Sequence, residues 1–445
     1  SILIFAQEEA VIQKLTHTDA DFRVAFIGDQ GSTQEAIAVL NLIKDEGAQM
    51  VLHQGDFDYK DLPPVNNPDP DAWDKVISDV LGDDFPYFAS IGYHDQFEWD
   101  GFQQKLYDRL QKIPDAKCIG DLGIKSSCTY NGLFFVLVGP GDFDPAITGT
   151  GHSSFIKDQL SDNDHIWRVC SWSETMYYMQ PGQKPDKVGW EVYENCKDGG
   201  GIVATAHEHS YARTKTLINI ENQIVDPEWS EPDKLRVKEG TTFVFVSGLG
   251  GKSTRTQDRC LPTFYPYGCN EEWAKIYTKN QGADFGALFC TFNVNGQPNK
   301  ADCYFKNIQG EVIDKFTVTS LVGIEDTGVD PSGTTLIGAD LTDTSLTGMK
   351  LTGADLSLSN LAGVDLSGKD LTGTKLRGAD LTDANLTGTI LTGADLSNSI
   401  LARVDLSGMD LIGVNLARVD LSGKDLTGTI LTGADLSDTN LTGVD

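Results

Sequence analysis

Side chains that can bind metal ions or transfer protons follow several apolar runs in the N-terminal part of the chain. These side chains are Asp29, Asp56, Tyr59, Tyr93, His94, His207 and His209. The apolar runs are typical of strands, and they are Phe22–Ile27, Met50–Leu52, Tyr87–Ile91, Leu133–Val138, Ile166–Ser171, Ile202–Thr205 and Thr242–Val246. Because α/β sheets and sandwiches present ligands at the carboxyl ends of their strands, this order predicts an α/β domain with a site at that edge.

Four short motifs carry these side chains along the chain. They read Gly28-Asp29-Gln30-Gly31, Gly55-Asp56-Phe57-Asp58-Tyr59, Gly92-Tyr93-His94-Asp95 and His207-Glu208-His209. Taken singly, Asp29 and Asp56 could cap turns and Tyr59 could be a packed aromatic residue. In this order the motifs resemble DxG, GDxxY, GNH(D/E) and GHxH of the purple acid phosphatases, a group of metallophosphoesterases. All four together favour a working or relic metal site.

This resemblance implies a four-layer αββα sandwich with two metals a few ångströms apart. Such a pair activates a bridging hydroxide and neutralises a phosphoryl group under in-line attack. Carboxylate and phenolate oxygens suit trivalent iron, whereas imidazole and amide groups suit its divalent partner. By resemblance the iron ligands are Asp29, Asp56 as the bridge, Tyr59 and His209. His207 would bind the second metal, and His94 matches the position that acts as acid toward the leaving group.

Two positions depart from the family pattern. Tyr93 replaces the amide ligand of the second metal, and Ser173 stands where the family has a liganding histidine. Glu174 or Glu208 could instead supply a ligand to the second metal, and the spacing favours neither residue. Loss of a residue that only contacts a metal ligand typically lowers metal affinity or activity about 10- to 100-fold. Loss of two ligands should lower them further. The sequence therefore predicts one bound iron, puts a second divalent metal in doubt, and makes impaired or lost activity the expectation.

Eight cysteines lie before the repetitive C-terminal part of the chain. Their number is even and none belongs to a CxxC pair, which favours disulfides over a zinc site. Spacing leaves the connectivity open, and we expect nearest neighbours to pair: Cys118 with Cys128, Cys170 with Cys196, Cys260 with Cys269, and Cys290 with Cys303. Disulfides, together with a first residue that is not methionine, predict a secreted protein whose leader has been removed.

The net charge of the chain disfavours some classes of binding partner. The formal charge is −30, from 65 acidic and 35 basic side chains, and the sequence pI is about 4.4. Such a surface repels nucleic acid and anionic membranes, because phosphate binding relies on Lys and Arg. No stretch approaches the roughly 18 consecutive apolar residues of a membrane span. We therefore expect no nucleic-acid partner and no membrane span.

Leucine recurs at every fifth position from Leu336 to Leu441, 22 times without a gap. No helix or flat strand has this period. The motifs Ala339-Asp340-Leu341 and Ala394-Asp395-Leu396 resemble the A(D/N)LXX motif of pentapeptide-repeat proteins. That resemblance implies a right-handed quadrilateral β-helix with one pentapeptide per side and each Leu pointing inward.

These patterns divide the chain into four parts. We predict an N-terminal strand or arm at 1–20, the phosphoesterase-like domain at 21–319, a linker at 320–335 and the solenoid at 336–445. Solenoid ends normally need caps, so an uncapped last coil and the apolar segment 1–6 predict self-association. Asn385 and Asn440 begin Asn-Leu-Thr triplets that N-glycosylation could use, although such triplets also arise by chance in these repeats.

Two functions fit the sequence. The first is a secreted, non-catalytic structural or interaction protein, in which repeated head-to-tail contacts would build a filament. The alternative is an active or weakened metal-dependent acid phosphatase, with a phosphomonoester substrate and the solenoid as spacer. The two ligand losses favour the first.

Overall fold

The computed structural model describes residues 15–59, 68–141, 143–161, 163–227, 229–322, 339, 341–342 and 351–444. These residues form two compact units, one that ends at about residue 323 and one in the C-terminal segment. The predicted N-terminal strand at 1–6 and most of the predicted linker lie outside the described residues. Within the described ranges, no helix is both long and apolar enough to cross a bilayer.

The first unit contains a mixed sheet of seven strands. Its order is β12-β17-β16-β15-β1-β2-β3, with β1, β2 and β3 parallel to one another. The strands are β1 (Phe22–Ile27), β2 (Met50–His53), β3 (Tyr87–Ala89), β12 (Lys234–Val237), β15 (Gly286–Phe292), β16 (Lys300–Asn307) and β17 (Val312–Ser320). The three parallel strands coincide with the first three apolar runs.

A second mixed sheet contains eight strands in the order β14-β9-β13-β8-β7-β6-β5-β4. Its strands are β4 (Lys117–Asp121), β5 (Lys125–Tyr130), β6 (Leu133–Val138), β7 (Arg168–Ser171), β8 (Ile202–Thr205), β9 (Tyr211–Thr214), β13 (Val244–Ser247) and β14 (Trp273–Tyr277). Strands β6, β7, β8 and β13 run parallel and coincide with the four later apolar runs. A separate hairpin pairs β10 (Leu217–Asn219) with β11 (Ile224–Val225).

Short helices connect the strands. They are α1 (Gln34–Asp45), α2 (Pro70–Leu81), α3 (Trp99–Leu110), α4 (Pro145–Thr148), α5 (His152–Leu160) and α6 (Trp190–Asp198). The sequence specifies where α1 and α2 begin. The Thr33 side chain accepts a hydrogen bond from the backbone N–H of Ala36, and Asp69 does the same for Ala72. Such caps satisfy N–H groups that have no partner inside the helix.

The two large sheets pack face to face through buried aromatic side chains. The rings of Phe26 and Phe245 lie 5.2 Å apart, and those of Phe88 and Phe135 lie 4.7 Å apart. All four side chains are almost fully buried. The unit is thus a mixed α/β structure with large sheets, as predicted, and the exact four-layer order stays a prediction.

All four predicted disulfides are present. Cys118–Cys128 and Cys290–Cys303 each join adjacent antiparallel strands. Cys170–Cys196 ties β7 to α6 inside the core, and Cys260–Cys269 closes a surface loop. Nearest-neighbour pairing is confirmed, and no described cysteine is free.

The C-terminal unit repeats with a period of twenty residues. Parallel bridges join Asp355 to Lys375 and Lys375 to Asp395, so four pentapeptides separate stacked positions. The leucines at five-residue intervals from 351 to 421 are at most 3% exposed, which confirms that they point inward. Where Asp or Asn precedes one of these leucines, it has a local role: the Oδ1 atom of Asp370, for example, accepts the backbone N–H of Thr372 at 2.9 Å. The handedness and quadrilateral section of this coil stay predictions.

One buried ion pair holds β9 to β17 across the two sheets. The Arg213 guanidinium donates to both carboxylate oxygens of Asp314, at 2.8 and 3.1 Å, and the Tyr211 hydroxyl donates at 2.7 Å. Burial tends to raise the pKa of the Asp314 carboxyl, but Arg213 outweighs it and holds this pKa below its ordinary value of 3.8. The charged form of Asp314 therefore stabilises the folded state.

We expect Asp314→Asn to lower the free energy of unfolding by about 3–5 kcal/mol at neutral pH, because it leaves Arg213 buried without its counter-charge. A depressed folded-state pKa means that the contribution is present above the unfolded pKa and lost as pH falls through the folded value. The gap between wild type and variant should therefore narrow below about pH 4. Urea denaturation across that range measures it. Asp79→Asn, in an exposed pair with Lys75, is the matched control; an equal effect there would contradict the prediction.

Candidate functional site

The packing of the two sheets brings the predicted site residues together. Asp29 and Asp56 follow β1 and β2 in one sheet, whereas His207 and His209 follow β8 in the other. The first two loops are hydrogen-bonded to each other: the Asp29 N–H donates to the Gly55 carbonyl at 3.1 Å. Asp29, Asp56 and His207 all adopt positive φ values, 55°, 62° and 62°. Such strained backbone is concentrated at functional sites and turns.

Three of the predicted iron ligands form one cluster around Asp29. The Tyr59 hydroxyl donates to Asp29 Oδ1 at 2.8 Å, and His209 Nε2 lies 3.3 Å from the same oxygen. Asp29 is fully buried, and its Oδ2 atom has no hydrogen-bond partner among the described residues. Burial, reinforced by the charge of Asp29, raises the pKa of the Tyr59 phenol well above its ordinary value. Tyr59 is therefore a protonated donor to Asp29 in this arrangement.

Asp56, the predicted bridging ligand, has its own set of neighbours. Its Oδ1 atom accepts the backbone N–H of His94 at 3.0 Å, and its Oδ2 atom lies 3.9 Å from His207 Nδ1. Burial tends to raise the pKa of the Asp56 carboxyl, but His207 and His94 outweigh it, so this pKa is lowered. Burial also lowers the pKa of the His207 imidazole.

Asp95 braces the loop that carries Asp56. Its carboxylate accepts three backbone N–H groups, from Asp56 at 2.9 Å, Phe57 at 2.7 Å and Gly92 at 2.8 Å. These bonds tie the loop after β2 to the loop after β3. The motif Gly92-Tyr93-His94-Asp95 singled out this residue, but its bracing role came from the structure alone.

The two departures from the family pattern lie in different environments. Tyr93 is 36% exposed, and its ring packs edge-on against His94 and Phe97. Ser173 is buried, and its hydroxyl has no hydrogen-bond partner among the described residues. Glu174 is also buried, with Oε1 4.0 Å from His207 Nε2. Of the two alternatives that the sequence left open, Glu174 reaches His207.

Glu208 lies in a different pocket from Glu174. Its carboxyl packs over Gly182, where an added Cβ atom would come within 2.6 Å of it. Its Oε2 atom is buried and has no hydrogen-bond partner in the described part of the chain. Burial raises the pKa of this carboxyl.

These donors do not fit a two-metal centre. His207 has a different carboxylate near each ring nitrogen, Asp56 at Nδ1 and Glu174 at Nε2, so a metal ion bound to one nitrogen could share only one of these carboxylates with it. Among the described His, Cys, Asp and Glu side chains, the single group of three ligand atoms within 4.8 Å of one another is Cys260, Cys269 and Glu272, and those cysteines form a disulfide. Asp29, Tyr59 and His209 match iron by donor type, without Asp56 at ligand distance.

Two lysines that the motifs did not identify enter the site. Lys184 donates to the backbone carbonyl of His207. Burial lowers the pKa of its ammonium group, and the negative charges of Asp29, Glu208 and Asp56 act against that effect. Lys252 places its Nζ atom 4.3 Å from the centre of the Tyr59 ring. No spacing signal pointed to Lys184, whereas Lys252 directly follows the glycine-rich stretch 248–251.

Both predicted glycosylation positions lie on the exposed surface of the solenoid. Asn385 donates its side-chain amide to Asp365 at 3.0 Å, and Asn440 donates to Asp420 at 2.9 Å. Each also accepts the backbone N–H two residues later, as the Asp residues at equivalent positions do. The triplets thus have a structural role in the coil, and their glycosylation stays a prediction.

Comparison with known proteins identifies the C-terminal unit. A family model described as Pentapeptide repeats (8 copies) matches residues 339–378, 379–418 and 410–445. This part of the chain is therefore a run of pentapeptide repeats, as the leucine period predicted. The structure is similar there to HetL, a pentapeptide repeat protein involved in heterocyst differentiation regulation from the cyanobacterium Nostoc sp. Strain PCC 7120. The identity is 36%, with a TM-score of 0.23, over 25% of this chain and 52% of that one. The chain thus matches about half the length of HetL.

Two other solved structures match a larger share of the chain. GAP50, described as the anchor in the inner membrane complex of Plasmodium, is 14% identical with a TM-score of 0.44, over 67% of this chain and 89% of that one. PhoD is 11% identical with a TM-score of 0.42, over 68% of this chain and 69% of that one.

We expect Gly92→Ala to disrupt the site more than any change of side-chain chemistry nearby. A Cβ atom at Gly92 would lie 2.0 Å from the Asp56 backbone nitrogen, a distance that no real Cβ contact shows. The two loops would have to separate, which should lower the free energy of unfolding by about 1–3 kcal/mol or more. Thermal and urea unfolding measure the change. Gly189→Ala is the control, because its nearest atom is 4.0 Å away; equal stability of the two variants would count against the close contact.

Proposed function

We propose that the chain is an extracellular structural or interaction protein whose phosphatase-like unit does not hydrolyse phosphoesters. In this proposal the first unit is a four-layer αββα sandwich of the purple acid phosphatase type. The second is a right-handed quadrilateral β-helix. The observation that carries the proposal is that the second-metal position offers His207 and only one carboxylate beside it, because Asp56 and Glu174 lie at different ring nitrogens of His207.

Two-metal phosphoester hydrolysis requires a metal ion at the second-metal position. One metal alone lacks the partner that would help to orient the nucleophile and stabilise both the attacking and leaving oxygens. Here the amide ligand is replaced by Tyr93, which is partly exposed, and the histidine ligand by Ser173. A hydroxyl and a phenol in those places do not restore a divalent site.

Four disulfides and an acidic surface support an extracellular location. Disulfides persist in oxidising compartments and are rare in the cytosol. All eight cysteines pair here, and the four bridges are spread over both large sheets and a surface loop. A formal charge of −30 also keeps copies of the chain apart, so any association must come from specific contacts.

A weakened acid phosphatase is the second candidate. It is favoured by the cluster of Asp29, Tyr59 and His209, which offers donors suited to one hard cation. The His94 ring lies 4.4 Å from the Tyr59 ring, at the mouth of the same cluster, where it could protonate a leaving group.

Turnover of a phosphomonoester at acidic pH, with divalent metal added, separates the two candidates. We expect the wild-type rate to equal the background and to match that of Asp56→Asn, because no two-metal centre assembles. Metal-dependent turnover that disappears in Asp56→Asn would instead establish the phosphatase. His17→Asn, outside the site, controls for general effects of substitution.

The solenoid offers a surface for self-association. Leu426, Leu431 and Leu436 are only partly buried, and Leu441 is 43% exposed, in contrast to the inward leucines of earlier coils. Exposed leucine side chains favour contact with another apolar surface, and a head-to-tail contact would extend into a filament.

We expect Leu441→Lys to weaken self-association by about tenfold or more, since a lysine buried in that contact would lose its hydration. Light scattering and electron microscopy across a wide concentration range measure it. Thr387→Lys adds the same charge to an exposed position of an earlier coil and should leave association unchanged. Wild-type protein that stays monomeric throughout would refute the proposed contact.

A further inference from the structure

We propose that Lys184 and Lys252 are resident cations of the site, which supply the positive charge that two metals would otherwise provide and thereby exclude metal ions. This inference rests on the proposed function and extends it by stating what replaces the metals. One lysine lies on each side of the site. Lys184 contacts the backbone carbonyl of His207, the predicted ligand of the second metal, and Lys252 lies over the ring of Tyr59, in the iron-type cluster.

The site needs such charge because it buries several acids together. Asp29 and Glu174 are fully buried, and Asp56 and Glu208 are 1% exposed. Buried carboxylates are stable only when charge partners or hydrogen bonds compensate for lost hydration. Protein-borne ammonium groups supply that charge.

Lys184 is positioned to act on the second-metal side. Its loop precedes α6, and its ammonium group donates to the carbonyl of His207, inside the loop that carries both site histidines. The carboxylates that act on its charge are Asp29, Glu208 and Asp56. These groups come from β1, β8 and β2 respectively, so Lys184 joins the acids of both sheets rather than a single neighbour.

Lys252 acts on the other side. Its backbone N–H donates to the Asp29 carbonyl at 3.1 Å, which fixes the start of its side chain beside the cluster. The ammonium group then lies over the Tyr59 ring, whose hydroxyl donates to Asp29. An ammonium group there repels a trivalent or divalent ion that would bind the same oxygens.

The test measures metal content without reference to activity. Wild type, Lys184→Gln, Lys252→Gln and the double variant are purified without chelator, dialysed against Zn²⁺ or Fe³⁺, and analysed by elemental mass spectrometry. Gln removes the charge and keeps a donor for the His207 carbonyl. We expect no tightly bound metal in wild type and at least tenfold tighter binding in the double variant. Adding Asp29→Asn, at the centre of the cluster, should reverse the gain.

Two controls separate charge from folding. Lys184→Arg keeps the positive charge and should remain metal-free, whereas Lys75→Gln removes an exposed lysine outside the site and should change nothing. Thermal unfolding of every variant, with and without Zn²⁺, shows whether it is folded, and added Zn²⁺ should raise the midpoint only in the charge-removing site variants. If the Gln variants do not fold, a tightly bound metal in wild type or in Lys184→Arg still overturns the inference.

Each outcome bears on the proposal in a distinct way. Wild type with one tightly bound iron and no turnover overturns the inference and leaves the proposed function standing. Wild type with two metals and turnover overturns both. Folded, metal-free Gln variants overturn the inference alone, because removing the lysines would then not have opened the site.

Discussion

Face-to-face packing of the two large sheets is the constraint on which the rest of the first unit depends. The aromatic contacts between Phe26 and Phe245, and between Phe88 and Phe135, fix the sheets against each other. Loops from separate strands must then meet at one edge, because parallel strands end there together. The same packing that excludes water from the core therefore also buries Asp29 and Asp56 beside groups from the opposite sheet. The packing of the sheets therefore both positions these two carboxylates and removes them from water, which costs free energy.

The free-energy cost of burying these carboxylates determines which groups must surround them. Buried carboxylates require compensation, and the chain supplies it through the Tyr59 hydroxyl, which donates to Asp29, and through backbone N–H groups such as that of His94, which donates to Asp56. His207 has a different carboxylate near each ring nitrogen, Asp56 at Nδ1 and Glu174 at Nε2.

The solenoid follows a simpler rule, in which each coil depends mainly on its neighbours. Inward leucines provide the apolar burial, and bridges twenty residues apart provide the backbone hydrogen bonds. Where Asp or Asn precedes one of these leucines, its side chain stabilises the turn, as the bond from the Thr372 N–H to Asp370 shows. This explains why Asp and Asn recur there although neither is needed for burial.

The sequence by itself determined the features that depend on local pattern. Alternation of apolar runs and turns located the strands, the five-residue period located the inward leucines, and nearest-neighbour spacing predicted all four disulfides. Motif order also identified the side chains that meet in the site. Only the tertiary structure decided which acid approaches His207 and that Lys184 and Lys252 enter the site. Glu174 and Glu208 look equivalent in sequence, but they lie at the ends of different strands. Where a loop side chain points depends on the opposing sheet, and residue spacing carries no record of that packing.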